Sequence, residues 1–180
     1  MNRLKGFTIV ELLIVIVVIG ILAAISIVAY NGIQDRANNI TTTSAASQWV
    51  KILRAYEATT GNLPIYASNT NVCLGNDFTA NAPYAANECL TGHDWHVSAD
   101  TAFTNAIADE SGATPSSSVL NSVRVGSYEF RGIVYTSNSS GQGIVYAVKR
   151  GPENCTIGEH WYSGTSNSVC RVYLKGTPPW

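Results

Sequence analysis

Charged residues are scarce in this sequence, and the short motifs that mark many catalytic proteins are missing. Only 13% of the residues are Asp, Glu, Lys or Arg, and the formal net charge is -1. Bulk charge therefore gives no basis for binding nucleic acid or an anionic surface. The chain has no C-x-x-C pair, no H-E-x-x-H or G-x-S-x-G motif and no phosphate-binding glycine loop. We expect neither an enzyme nor a cofactor.

Histidines are few, and they offer the remaining candidates for a metal site. His93, Asp94 and His96 lie close together, and His160 follows Glu159. Zinc uses such groups, but its ligands usually come in clearer spacings than this one. The first group also falls in a stretch that reads as a loop. We therefore expect surface histidines and no metal.

Four cysteines are present, at positions 73, 89, 155 and 170. An even number behind a hydrophobic N-terminal segment suggests disulfides and an oxidising compartment. Pairing sequence neighbours, Cys73–Cys89 and Cys155–Cys170, closes two loops of similar size. Each loop is worth roughly 3 kcal/mol in the chain-entropy model. The spacing favours this pairing, and other connectivities stay open.

Charge is almost absent from residues 7–30, where Glu11 is the only charged residue. A membrane-spanning helix needs about 20 mostly apolar residues, so this segment is long enough. Arg3 and Lys5 precede it, which predicts a cytoplasmic N terminus and an external C terminus.

Three interpretations of this segment compete. The first is an ordinary secretory signal peptide, with Ala24-Ile25-Ser26 as its cleavage site. The second is a plain membrane anchor for an external domain. The third is a segment that stays on the mature protein because cleavage occurs just before it. Glu11 and the abrupt boundary between Gly6 and Phe7 favour the third interpretation.

The stretch "GFTIVELLIVIVVIGILAAI" closely resembles the N terminus of type IV pilins and the related pseudopilins. The resemblance is specific over residues 5–30, although many pilins have a proline inside the apolar helix and this segment has none. It implies cleavage between Gly6 and Phe7, followed by N-methylation of Phe7. It also implies that Glu11 of one subunit pairs with the Phe7 amine of the next during assembly.

The same resemblance implies an organisation and a function. Residues 1–6 are the leader, 7–30 the membrane and assembly helix, and 31–180 a globular domain that includes the second half of the long helix. The protein would be a structural subunit that begins in the cytoplasmic membrane and ends in a pilus at the cell surface. Its partners would be identical or related pilin subunits, the prepilin peptidase and methylase, the inner-membrane assembly machinery and membrane lipid before assembly.

Two alternatives stay open. Within the family, the chain could be a minor pilin or a secretion-system pseudopilin. Outside it, the chain could be a membrane-anchored module that binds sugar or DNA through Trp95, Trp161 and Trp180.

The helical pattern continues beyond the apolar segment and predicts one long helix. Apolar residues fall on one helical face and are followed by a glycine and a proline that end the helix. The residues are Ala45, Trp49, Ile52, Leu53 and Tyr56, then Gly61 and Pro64. Asn31-Gly32 and the run of short polar residues at 41–44 weaken the pattern. We expect a locally bent but continuous helix to Thr60.

The rest of the chain predicts an α+β fold. From Leu63 to Pro115 we expect folded loops and one short helix near residues 98–111, capped by Ser98 or Asp100. Three later stretches are rich in β-branched and aromatic residues, with a hairpin turn at 137–143. They are "VRVGSYEFRGIVYTS", "GIVYAVKR" and "VCRVYLKG". The expected fold is a long helix packed on a small antiparallel β-sheet, with a disulfide-stapled C-terminal loop.

Overall fold

The structure is a computed structural model that describes residues 7–66, 71–76, 78–93, 95–112, 122–138, 141–164 and 166–176. In chain order, its helices and strands are α1 (Ile9–Thr60), β1 (Asn71–Leu74), β2 (Glu88–Thr91), β3 (Val97–Ser98), α2 (Thr101–Ser111), β4 (Val123–Val125), β5 (Tyr128–Phe130), β6 (Ile133–Ser137), β7 (Gly141–Lys149), β8 (Glu159–Ser163) and β9 (Asn167–Gly176). A 3-10 turn at Pro152–Asn154 precedes β8.

Helix α1 is continuous through the Asn31-Gly32 pair, as the sequence predicted. The short polar residues further along are accommodated because their hydroxyls donate to carbonyls one turn earlier. Thr41, Thr42 and Thr43 each make such a bond at 2.9 Å. The helix ends where Gly61 adopts a φ of 83° and its N–H donates to the Glu57 carbonyl at 2.8 Å. A glycine in this left-handed conformation is a common helix stop.

The chain divides into two compact units, residues 1–36 and 37–180. In the first unit, the described residues are Phe7, Thr8 and the N-terminal part of α1. The second unit, called the head below, contains the rest of α1 and every strand of the described residues.

Two antiparallel sheets form most of the head. The first has five strands in the order β1-β6-β7-β9-β8, and the second has four in the order β3-β2-β5-β4. Strand β7 lies at the centre of the first sheet and pairs along its length with β9. The sequence predicted one small sheet. The second sheet arises because β4 and β5 form a separate hairpin that pairs with β2 rather than with β6.

The core of the head lies on both faces of the five-stranded sheet. On one face, Tyr146 and its alternate neighbours on β7 pack against Trp49 and Leu53 of α1. On the other face, Val145 and Ala147 pack in a cluster with residues of the second sheet. Eight consecutive residues of β7 are buried, because both faces of this strand are covered.

Helix α2 forms where the sequence placed a short helix. Asp100 is its N-cap, and the Asp100 side chain accepts a hydrogen bond from the Phe103 N–H at 3.0 Å. Ile107 of this helix is buried in the core.

The segment from residue 63 to 115, expected to be mostly loop, also supplies β1, β2 and β3. Strands β1 and β2 were missed because each is short and pairs with a strand far away in the sequence, and β3 was missed because it has only two residues.

Candidate assembly site

The N-terminal end of α1 is closed by a reciprocal pair of hydrogen bonds between Thr8 and Glu11. The Thr8 N–H donates to Glu11 Oε2 at 2.9 Å, and the Glu11 N–H donates to Thr8 Oγ1 at 3.3 Å. The Thr8 hydroxyl also donates to the same carboxylate oxygen at 2.6 Å. This arrangement is a capping box, which satisfies backbone donors that the first turn of a helix would otherwise leave unpaired.

Only one oxygen of the Glu11 carboxylate takes part in this capping box. Both bonds that the carboxylate accepts end on Oε2. Among the described residues, Oε1 receives no hydrogen bond. The carboxylate therefore closes its own helix and still presents one oxygen to a further donor.

The side chains that surround this site are apolar and exposed on every side of the helix. From Phe7 to Ile27, the large apolar residues are between 48% and 86% exposed. By its length and composition, α1 is able to cross a membrane. A helix that is apolar all round needs lipid or other apolar helices around it, because water would cover a continuous apolar surface.

At the head, α1 is joined to the sheet by the side chain of Asn39. The Asn39 amide donates to the Lys149 carbonyl, and the Lys149 N–H donates to Asn39 Oδ1, both at 2.8 Å. Asn39 is 6% exposed. Its side chain therefore continues the hydrogen-bonding pattern of β7 at the point where this strand ends.

Two disulfides join the sequence neighbours that the spacing had favoured. Cys73 in β1 is bonded to Cys89 in β2, with 5.8 Å between the Cα atoms. Cys155 is bonded to Cys170 in β9, with 5.5 Å between the Cα atoms. The first bond links the two sheets, because β1 belongs to one and β2 to the other.

The second disulfide closes a loop that contains a strand of its own. Strand β8 lies inside this loop and pairs with β9, so the loop is a hairpin on the edge of the five-stranded sheet. The Tyr146 hydroxyl donates to the Ile157 carbonyl of the loop at 2.7 Å. Burial raises the pKa of the Tyr146 hydroxyl to about 12.

Comparisons with known proteins find matches for the N-terminal segment, which contains this capping box. A family described as "Prokaryotic N-terminal methylation motif" matches residues 1–27. The chain is also similar to the "Type IV narrow pilus major component PilA5" of Thermus thermophilus, with 52% identity over 46 residues. Both matches support a type IV pilin family.

The pilin similarity is confined to a part of each chain. The aligned residues make up 24% of this chain and 40% of the relative's length. No solved structure matches the chain. The similarity therefore concerns the N-terminal segment and not the whole of either protein.

The structure places the predicted site residues of this pilin-like chain as follows. Phe7 and Glu11 lie at the start of α1, where Phe7 is 77% exposed. Gly6 and Trp180 lie outside the described residues. Trp95 and Trp161, suggested as a sugar-stacking surface, line one cavity.

His96 and His160 contact different partners. His96 contacts Thr91 at 3.1 Å and Glu88 at 3.3 Å, whereas His160 contacts Ser163 at 2.8 Å. Asp94 lies outside the described residues. Within the described part of the chain, no three His, Cys, Asp or Glu residues are grouped closely enough to hold a metal.

Two residues of the pilin-like chain were missed by reasoning from the sequence. Thr8 carried a readable signal, because Thr-x-x-Glu immediately before an apolar run is the pattern of a capping box. No sequence pattern identifies Asn39, since its partner Lys149 is 110 positions away in the sequence.

Proposed function

We infer that this chain is a structural subunit of a type IV pilus-like filament, which it enters through the apolar part of α1. The observation that carries this proposal is a methylation motif joined directly to a helix whose apolar side chains are exposed all round. Such a helix is stable in a bilayer, and it can leave the bilayer when helices of other subunits replace the lipid. The Thermus relative, by its name, is the major component of a pilus.

The proposal includes processing of the precursor. A membrane peptidase cuts between Gly6 and Phe7, and the new Phe7 amine is then methylated. Cleavage before the apolar segment keeps the helix on the mature subunit, whereas ordinary signal cleavage would remove it. The precursor is held in the cytoplasmic membrane, and the assembled filament lies at the cell surface.

Cleavage creates a charge that needs a partner. A free α-amino group has an unperturbed pKa of about 7.7–8.0, so most of it is cationic at neutral pH. Here it would precede the first turn of α1, where the helix dipole is positive and disfavours a cation. A carboxylate on a neighbouring subunit relieves this conflict. In this proposal Glu11 Oε1 accepts from such an amine, while Oε2 accepts from Thr8.

Variants of the capping box separate the two roles of Glu11. Glu11→Gln keeps an oxygen for the Thr8 N–H but removes the negative charge. Thr8→Val removes the hydroxyl but keeps both the backbone N–H and the Glu11 charge. We expect Thr8→Val subunits to form filaments and Glu11→Gln or Glu11→Val subunits to accumulate in the membrane.

The measurement is the amount of subunit in a sheared surface fraction, with mass spectrometry of its N terminus. Membrane insertion, leader cleavage and both head disulfides should be normal in every variant, which excludes misfolding as the cause. Normal filaments from Glu11→Gln subunits alone would show that capping is sufficient and that the charge has no role in assembly.

The cleavage step has its own test. Gly6→Leu places a bulky side chain at the bond and should block cleavage, so that the precursor accumulates and filaments disappear. The matched control is Gly20→Leu, since a Cβ at Gly20 meets nothing within 4 Å. Its leader should be removed normally. Unchanged processing of Gly6→Leu would contradict the proposed cleavage site.

A further inference from the structure

The head contains an open aromatic cavity that the proposed filament function does not use. Its volume is about 420 Å³, within the range of small-ligand sites. It lies between the β8–β9 hairpin of one sheet and strand β5 of the other. Its lining consists of Trp95, Tyr128, Phe130, Trp161, Tyr162 and Val169.

Two rings of this cavity pack against each other, and a third faces solvent. Phe130 and Val169 are buried and form the floor, whereas Tyr162 is 48% exposed. Trp95 and Tyr128 pack edge to face with their ring centroids 5.7 Å apart. Such packing restricts the orientation of both rings, so a ligand would meet preformed aromatic faces.

A second cavity, about 770 Å³ in volume, adjoins the first and shares Tyr162 with it. Its lining is part polar and part apolar, and its polar side chains come from the β4–β5 and β8–β9 hairpins. The other lining residues are Arg124, Gly126, Ser163, Gly164, Ser166 and Asn167. The two cavities together present an aromatic half and a polar half.

The polar half is held in one arrangement by Asn167 and by two glycines. The Asn167 amide donates to the Arg124 carbonyl at 2.8 Å, and its oxygen accepts from the Arg150 N–H at 3.0 Å. A Cβ at Gly164 would stand 2.9 Å from the Gly126 nitrogen. The two turns can therefore approach this closely because position 164 is glycine, whereas Gly126 is favoured by its φ of 61°.

We propose that these adjoining cavities bind a neutral oligosaccharide. A pyranose ring has an apolar face of C–H groups that can stack on Trp95, Trp161 or Tyr162. Its edge carries hydroxyls that can bond to the serine hydroxyls and to Arg124 in the polar half. The cavities thus match both sides of one sugar ring.

Charge favours this ligand over nucleic acid. Arg124 is the only cation among the described lining residues, and none of these residues carries a carboxylate. Binding to single-stranded DNA relies on several cations along the phosphate backbone as well as on stacking. The lining is therefore suited to an uncharged polar chain.

The experiment uses the full-length subunit in detergent micelles, so its outcome does not depend on filament formation. The probes are maltohexaose, cellohexaose, chitohexaose and a dodecameric deoxythymidine strand. Tryptophan emission reports binding directly, because Trp95 and Trp161 line the aromatic cavity. Calorimetry gives the affinity.

Three variants locate the site. Tyr162→Ala removes the ring that both cavities share, and Arg124→Ala removes the cation of the polar half. Ile65→Ala is the control, since Ile65 is 76% exposed and lines neither cavity. Non-reducing peptide mapping of both disulfides checks that each variant is folded.

We expect at least one hexasaccharide to bind and to shift the emission. Tyr162→Ala should weaken that binding by roughly ten-fold, the order of loss found when a ring that stacks on a nucleic-acid base is removed. Arg124→Ala should weaken it less, and Ile65→Ala should leave it unchanged. The proposal is overturned if no hexasaccharide binds, if only the DNA strand binds, or if folded Tyr162→Ala and Arg124→Ala both bind like the wild type.

Discussion

Replacing Asn39 with alanine should destabilise the head, because it removes both hydrogen bonds between α1 and the end of β7. The Asn39 amide and the Lys149 backbone exchange these bonds at 2.8 Å in a buried position. After the replacement, the Lys149 carbonyl keeps a bond from the Asn154 amide at 3.3 Å. The Lys149 N–H loses the acceptor that it has in this structure.

The loss of unfolding free energy can be estimated from these two hydrogen bonds. Two hydrogen bonds between neutral groups contribute about 1–3 kcal/mol together, and the part-buried Lys149 N–H also loses an acceptor. The higher helix propensity of alanine offsets up to about 0.7 kcal/mol of this loss. The free energy of unfolding should therefore fall by about 2 kcal/mol. For a domain of roughly 150 residues, this lowers the midpoint of thermal unfolding by about 4–8 °C.

The assay is thermal unfolding of the full-length protein in detergent micelles, followed by near-ultraviolet circular dichroism of the head. The matched control is Gln48→Ala, which removes an amide from an exposed position on the same helix. The Gln48 amide makes a single 3.3 Å bond to Ser44. We expect the control to unfold within about 1 °C of the wild type, as most surface substitutions do. Equal midpoints for the two variants would refute a stabilising role for the Asn39 bonds.

Two further predictions concern the head. Serine in place of Cys155 and Cys170, or of Cys73 and Cys89, should cost roughly 3 kcal/mol of unfolding free energy in either case. If the Cys155–Cys170 loop faces a neighbouring subunit, loss of its disulfide should reduce filament yield more than loss of Cys73–Cys89 does. Equal yields of the two variants in a sheared fraction would contradict this. Because the pKa of Tyr146 is raised to about 12, its contribution to stability should be complete below about pH 10 and lost as the pH rises toward 12. Tyr146→Phe should remove part of this alkaline loss, and an unchanged pH profile of unfolding would exclude Tyr146 as its source.

Reasoning from the sequence was most successful where neighbouring residues decide the structure. An unbroken apolar run and a helical repeat of buried residues predicted α1, because the bonds of a helix are local. The capping role of Asp100 is local for the same reason. Even the disulfides follow chain proximity, since each joins cysteines only 15 or 16 positions apart.

The candidate assembly site is also decided by neighbouring residues. Phe7 and Glu11 were identified from a motif that lies within a single helical turn and its flanks. Thr8 could have been identified from the same few letters. What the sequence did not show is that the capping box uses one carboxylate oxygen and leaves the other open.

Only the tertiary structure decided the features that join distant parts of the chain. The division into two sheets depends on β5 pairing with β2 rather than continuing into β6, and both pairings suit the same β-rich sequence. The aromatic cavity combines Trp95, which precedes β3, with Tyr162 and Val169 of the β8–β9 hairpin. By itself, the sequence determined one long helix with an apolar first half and the spacing of its cysteines. The pairings of β1 with β6 and of β2 with β5, and the cavity between the two sheets, depend on packing across long sequence separations, which no local pattern encodes.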